Sequence, residues 1–156
     1  MSNQQKWMNL AIEMALKAKD CGEVPVGAVI IHKEAVIAQS HNLKESSLNP
    51  IFHAEILAIQ LASQKLGRWR LNDCQLYVTL EPCLMCSGAI IQARLELVSY
   101  GTPDPKGGAV HSLYQVLSDQ RLNHNPRIES GLLEKKCSQI LTSFFQERRL
   151  SHLSKK

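Results

Sequence analysis

Apolar positions along the chain follow two alternating rhythms. Trp7, Leu10, Ala11, Met14, Ala15 and Ala18 recur at steps of three and four residues, which puts them on one stripe of a helix ending near Cys21-Gly22. "PVGAVIIH" and "AVIAQSH" are β-branched runs separated by Lys33-Glu34 and predict two strands in a tight hairpin, the first apolar enough to be buried on both faces. A polar loop over 43–52 leads into a helix from about 53 to Leu66. In it Ile56, Leu57, Ile59 and Leu61 announce a buried helix, and Gly67 is placed as its left-handed stop. "CQLYVTL" predicts a third strand. "EPCLMCSGAIIQAR" predicts a helix with Pro82 at its first position, where the missing N–H costs nothing.

"LELVSYG" reads as a fourth strand, and "TPDPKGGAVH" as a loop rich in Pro and Gly. A short helix around Ser112 to Leu117, a weak strand near Arg127 to Glu129 and a long helix from Leu132 to about Leu150 complete the pattern. A helix, a hairpin, then helices alternating with strands indicate a three-layer α/β domain around one mixed sheet. Residues 1–156 are read as one such domain.

Composition narrows the class. At 44% apolar and 21% charged residues, with 8 Gly and 6 Pro, the chain is an ordinary soluble globular sequence and not collagen, a disordered segment or a disulfide scaffold. No apolar run approaches the ~18 residues needed to span a bilayer, so a cytoplasmic protein with no membrane partner is expected. Cys21, Cys74, Cys83, Cys86 and Cys137 form an odd, scattered set, which argues for reduced thiols. Cys21, Cys74 and Cys137 are read as buried small apolar residues. The formal charge of +4 is unevenly spread: Lys135, Lys136, Arg148, Arg149, Lys155 and Lys156 face a single acid, Glu147, in the last stretch. A solvated helix end explains this as well as an anionic partner does.

Candidate chemistry begins with Cys83-Leu84-Met85-Cys86. A C-x-x-C at a helix start suits a redox pair, a metal or a structural role, and the pair alone leaves the three open. His53, also at the start of a helix that follows strands, supplies a third ligand of suitable softness and leaves one coordination position free, the mark of a catalytic zinc site. A fourth ligand from Cys74, Cys137, His111 or His124 lacks metal-motif spacing. Glu55 stands two residues from His53, which on a regular helix is roughly 200° away. A shared site therefore requires His53 to sit at an irregular helix start. A carboxylate beside such a site that is not itself a ligand is suited to moving protons.

"HAE" followed about thirty residues later by "PCLMC" resembles the signature of the zinc nucleobase deaminases. Beyond that motif, "EVPVGAVI", "HAEILAI", "LYVTLEPCLMCSGAI", "YGTPDPKGGA", Asn123-His124 and "SFFQERR" are similar to the bacterial tRNA adenosine deaminases over nearly the whole length. The resemblance implies a cytidine deaminase-like α/β/α fold with a central five-stranded sheet. It implies hydrolytic deamination of adenosine to inosine at the wobble position of a tRNA anticodon, an arginine tRNA above all. It also implies a homodimer without an organic cofactor, and one Zn²⁺ per subunit held by His53, Cys83 and Cys86 with Glu55 as proton shuttle.

By the same resemblance Asn42 contacts the flipped adenosine, Asp104 and Lys106 lie in a loop facing the RNA backbone, and Asn123 is a further RNA-contacting position. Phe144, Phe145, Arg148 and Arg149 occupy a helix that approaches the anticodon loop. One phenylalanine is expected in the core and the other, Phe145, toward substrate. Where many relatives carry Asp-Pro-Thr and a small residue before "HAE", this chain has Asn49-Pro50-Ile51-Phe52, which bears on the pocket rim. The competing readings are a guanine or cytidine deaminase acting on a free base or nucleoside, a zinc-dependent RNA-binding domain without catalysis, and a redox C-x-x-C protein.

Overall fold

The computed structural model describes residues 1–154; Lys155 and Lys156, counted above among the basic residues, lie outside the described residues. Helix α1 (Asn3–Asp20) opens with a capping box. The Gln5 N–H donates to the Ser2 hydroxyl at 3.1 Å, and the Ser2 N–H donates to the Gln5 side chain at 3.0 Å. The predicted stripe is buried at Trp7, Ala11, Met14, Ala15 and Ala18. It lies directly on strand β1 (Gly27–His32). At Gly27 a Cβ would run into the Ala11 carbonyl, so only glycine permits this approach. Strand β1 is buried on both faces, as its sequence predicts, and turns into β2 (Ala35–His41) through Lys33 (φ 48) and Glu34 (φ 63). Two successive left-handed residues make the type I′ turn that matches the twist of a hairpin.

Strands β3 (Cys74–Leu80), β4 (Leu97–Thr102) and β5 (Arg127–Ser130) complete a five-stranded sheet of order β2-β1-β3-β4-β5. Strand β1 is antiparallel to β2 and β3, whereas β3, β4 and β5 are parallel, so the sheet is mixed as expected. Helices α2 (Ala54–Leu66) and α3 (Leu84–Ala93) pack on one face; α1 and α4 (Glu134–Ser154) pack on the other. The pairings Gly27↔His41, Ala28↔Val78 and Leu80↔Thr102 bring the start of β1 and the ends of β2, β3 and β4 to one edge. Helices α2 and α3 both start at that edge, where open α/β sheets bind their ligands. Among the described residues no helix is long and apolar enough to cross a membrane.

Five local expectations are corrected. Helix α3 starts at Leu84 rather than Pro82, because the Pro82 carbonyl accepts the Ala109 N–H at 2.9 Å and Cys83 bridges to Gly108, which holds both residues extended. Over 112–117 there is only a 3-10 turn at Val116–Ser118, since the N–H groups of Val110, His111 and Ser112 are given to the Glu81 carboxylate instead of a helix. Helix α4 starts at Glu134 rather than Leu132, after left-handed turns at Gly131 (φ 88) and Leu133 (φ 52). The buried stripe of α2 is Ala54, Ala58 and Ala62, while Leu61 is 43% exposed, because alanines let the helix lie close to the sheet. Cys74 and Cys137 are buried as expected, but Cys21 is exposed as the C-cap of α1.

Candidate active site

Two helix starts build the site. His53 is the N-cap of α2 with extended backbone (φ −76, ψ 155), and Cys83 is the N-cap of α3 (φ −76, ψ 179). Neither side chain caps its own helix, so both are free to face the cleft. Cys86 lies one turn into α3. Both sulfurs lie 3.5 Å from His53 Nδ1, and the three ligand atoms are all within 4.8 Å of one another. Among the described residues no other His, Cys, Asp or Glu joins this group, so Cys74, Cys137, His111 and His124 supply no fourth ligand.

The donor set fits zinc. Tetrahedral bonds of about 2.3 Å to sulfur and 2.0–2.1 Å to nitrogen place S and N about 3.5 Å apart, the separation observed here. The Cys83 thiol is pulled down to about 4 by the hydrogen bond from Cys86, against burial, with His53 adding a second bond. Cys86 is pushed up because it donates to Cys83 and is buried beside Glu55, and His53 is raised through its bond to Cys83. The thiolate form of Cys83 is thus favoured by its two hydrogen-bonding neighbours at a helix N-terminus, the place a cation would fill.

Glu55 occupies the second position of α2 and is 4% exposed. Burial lifts its carboxyl to about 7, opposed by its own backbone N–H, raised further by the Cys83 charge and lowered by His53. Because His53 stands outside the helix proper, the two side chains share one cavity of about 180 Å³ instead of diverging. Asn42, at the end of β2, lines the same cavity and is 8% exposed. Its Oδ1 accepts the Lys44 N–H at 3.1 Å and its Nδ2 donates to the Val24 carbonyl at 3.3 Å, so turn chemistry fixes its orientation.

Asp104, Val24 and Leu80 line both this cavity and an adjoining groove of about 760 Å³ that adds Lys106, Phe145, Arg148, Arg149 and His152. Phe144 is buried at 6% and Phe145 is 44% exposed, packed edge to face at 5.4 Å. This is the division expected for adjacent helix residues. The Arg148 guanidinium lies 4.9 Å from the Phe144 ring and donates to the Gly22 carbonyl at 3.3 Å. Asp104 Oδ1 accepts the N–H groups of Lys106 and Gly107 at 3.1 and 3.2 Å. Asn123 stands apart. It is exposed, and its neighbour His124 bonds the Leu95 carbonyl at 2.6 Å, before the start of β4 and away from the edge that carries the cleft.

In the 43–52 loop, Asn49 Oδ1 accepts the Ile51 N–H at 3.1 Å, the turn an aspartate would make, while Phe52 is half-buried and does not line the cavity. Two residues that sequence reasoning gave no role hold the cleft walls. Glu23, fully buried, accepts the N–H groups of Glu45 and Ser46 at 2.9 and 2.7 Å. Glu81, 2% exposed, accepts from the loop 104–112, and these hydrogen bonds overcome its burial and hold its carboxyl at about 2. Their signal is an acid set against an apolar strand, in "EVPVGAVI" and "VTLEPC".

Residues 2–149 match the family model of the MafB19-like deaminases. A tRNA-specific adenosine deaminase of Bacillus subtilis (strain 168) is 46% identical over 149 residues, covering 96% of this chain and 92% of the relative. The chain belongs to the tRNA-specific adenosine deaminase family. Another member of that family, from Streptococcus pyogenes serotype M1, is 44% identical over 96% of this chain and 87% of its own length. A solved structure from a study of A-to-I editing by tRNA:A34 deaminases at the wobble position of transfer RNA superposes with a TM-score of 0.85 at 43% identity, covering 87% of this chain and 99% of that one. The fold of this family is the layered mixed-sheet fold described above.

Proposed function

We propose that this protein is a zinc-dependent hydrolase that converts adenosine to inosine at the wobble position of a tRNA anticodon, that of an arginine tRNA above all. The observation that carries this reading is adjacency: the cavity holding Glu55 and the His-Cys-Cys group shares Val24, Leu80 and Asp104 with a groove lined by exposed Phe145 and by Lys106, Arg148 and Arg149. A free base or nucleoside needs no such groove. A single-stranded RNA loop, whose bases splay out and stack and whose phosphates meet arginine, uses all of it.

His53, Cys83 and Cys86 hold Zn²⁺, which when bound supplies Lewis-acid polarisation of water at neutral pH. Asn42 orients the flipped adenine in the cavity. Glu55 takes a proton from the water that attacks adenine C6 and delivers it to N1. It then carries the proton of the new C6 hydroxyl to the departing amine as the C6–N bond breaks, so that adenosine and water become inosine and ammonia. Asp104 and Lys106 hold the RNA backbone on one wall, and Phe145, Arg148 and Arg149 hold the loop on the other. Asn123, at a distance from this cleft, is a further RNA-contacting position in this reading. A homodimer is supported by Leu84 (54% exposed) at the start of α3 and by Leu113 (54%) and Tyr114 (55%) in the loop after β4, apolar residues brought together by the Cys83–Gly108 bridge and the Leu113 N–H to Gly108 carbonyl bond. No organic cofactor is needed, and the place of action is the cytoplasm.

The test is inosine formation on an arginine tRNA anticodon stem-loop by zinc-loaded protein and by zinc-loaded Glu55→Ala. Inosine with the intact protein alone supports the reading. Turnover of free guanine or cytidine in place of the stem-loop would overturn it.

A further inference from the structure

Glu81 ends up one residue past β3 and two before Cys83, buried to 2% exposure. Its two oxygens accept five hydrogen bonds, all from one loop. Oε1 takes the Asp104 N–H at 3.0 Å and the Ser112 hydroxyl at 2.5 Å. Oε2 takes the N–H groups of Val110, His111 and Ser112 at 3.1, 2.9 and 3.0 Å. The loop closes so tightly round the carboxylate that a Cβ on Gly108 would strike it. The backbone adds two ties to the same segment: the Glu81 N–H donates to the Thr102 carbonyl at 2.9 Å, and the Ala109 N–H donates to the Pro82 carbonyl at 2.9 Å. Asp104, fixed in this way, receives the Lys106 and Gly107 N–H groups and lines both the inner cavity and the outer groove.

We infer that Glu81 is the positioning residue for the wall between cavity and groove: it sets where Asp104 and Lys106 stand relative to Glu55, and governs how RNA is held rather than how protons move. This rests on the RNA deaminase reading above. All five partners are donors, so the site demands a group that only accepts. Glutamine presents an NH₂ to N–H donors at one of the two oxygen positions. Alanine strands several buried N–H groups without a partner. The two segments that Glu81 joins are the strand end leading to Cys83 and the loop carrying Asp104 and Lys106; the Ala109–Pro82 bond and the Cys83–Gly108 bridge involve neither Glu81 oxygen and keep Cys83 at the start of α3, so the change falls on the Asp104 end of the loop and on the RNA seat.

The test uses zinc-loaded full-length protein, Glu81→Gln and Ser112→Ala, with the anticodon stem-loop as substrate. Intact protein is assayed first; absence of inosine there overturns the RNA deaminase reading and leaves Glu81 to be judged by amide exchange alone. For Glu81→Gln the expected result is KM raised about tenfold with kcat within about threefold, at unchanged zinc content. The amides of Asp104, Val110, His111 and Ser112 lose protection from hydrogen exchange, while those of α3 keep theirs. Ser112→Ala, which removes one donor from the set, raises KM in the same direction by about two- to threefold. Loss of zinc, a fall in kcat at unchanged KM, or undisturbed exchange in the loop would each overturn the inference. Should Glu81→Gln fail to fold, an unchanged KM in Ser112→Ala overturns it.

Discussion

Cys83 Sγ stands 3.5 Å from His53 Nδ1, thirty residues back in the chain. Each residue is the N-cap of its helix, and neither spends its side chain on capping, so the pair is held ready by two helix starts. Replacement of either by alanine is expected to abolish zinc retention in metal analysis. Activity should fall on the order of a thousandfold or more, because a bound metal supplies several kcal/mol of charge stabilisation.

Glu55→Gln should separate chemistry from binding. The variant is expected to retain zinc and to bind the stem-loop within about threefold of the intact protein, while kcat falls by about 10²- to 10⁴-fold, the usual contribution of a positioned acid-base group. Single-turnover kinetics with a parallel binding titration checks this, and equal losses in both would remove Glu55 from the proton-transfer role.

Arg148 and Arg149 differ in what they already touch. Arg148 lies over the Phe144 ring and donates to Gly22, so Arg148→Ala is expected to lower thermal stability as well as RNA affinity. Arg149→Ala should weaken RNA binding and flatten the plot of log affinity against log salt by about 0.7 to 1, one phosphate contact, with little change in Tm. An unaltered salt slope would place Arg149 outside the RNA seat.

Acid stability reports on Glu23. Burial pushes its carboxyl up, but hydrogen bonds from Ser46 and Glu45 outweigh this and leave its pKa below the usual value. A carboxyl depressed in the folded state contributes stability that is present above its unfolded pKa of about 4.3 and is lost as pH falls through the folded value. Glu23→Gln is therefore expected to lower Tm at pH 7 by roughly 3 to 10 °C, for about 1 to 3 kcal/mol of lost hydrogen bonding, and to flatten the decline in Tm below about pH 4.3. Thermal melts across that range decide it.

Features set by neighbours in the chain were legible from the sequence. Strands β2 and β3 run over 35–41 and 74–80, the residues their β-branched runs marked, and Gly67 ends α2 in the left-handed conformation. His53 standing outside the helix followed from the need for Glu55 to share its cavity. Features set across the fold were not legible. The start of α3 depends on Ala109 and Gly108, the missing helix after Ser112 depends on Glu81, and the loop after β2 depends on Glu23. In each case a distant partner claims backbone groups that local propensity would have spent on a helix or left to water.

The pairing of Ala28 with Val78 has a consequence for how the protein acquires its metal. The hairpin, the loop after it and all of α2 lie between those two residues, so β1 and β3 meet only after a long stretch of chain has been closed, a slow and non-local event. His53 lies before that junction and Cys83 after it, and the ligands come together only once the sheet has formed. Unlike a small domain that folds around its zinc, this chain carries the candidate ligands on a five-stranded sheet with a core of its own, so the scaffold is expected to stand without metal. Activity removed by a chelator should return on adding zinc back, with no passage through the unfolded state.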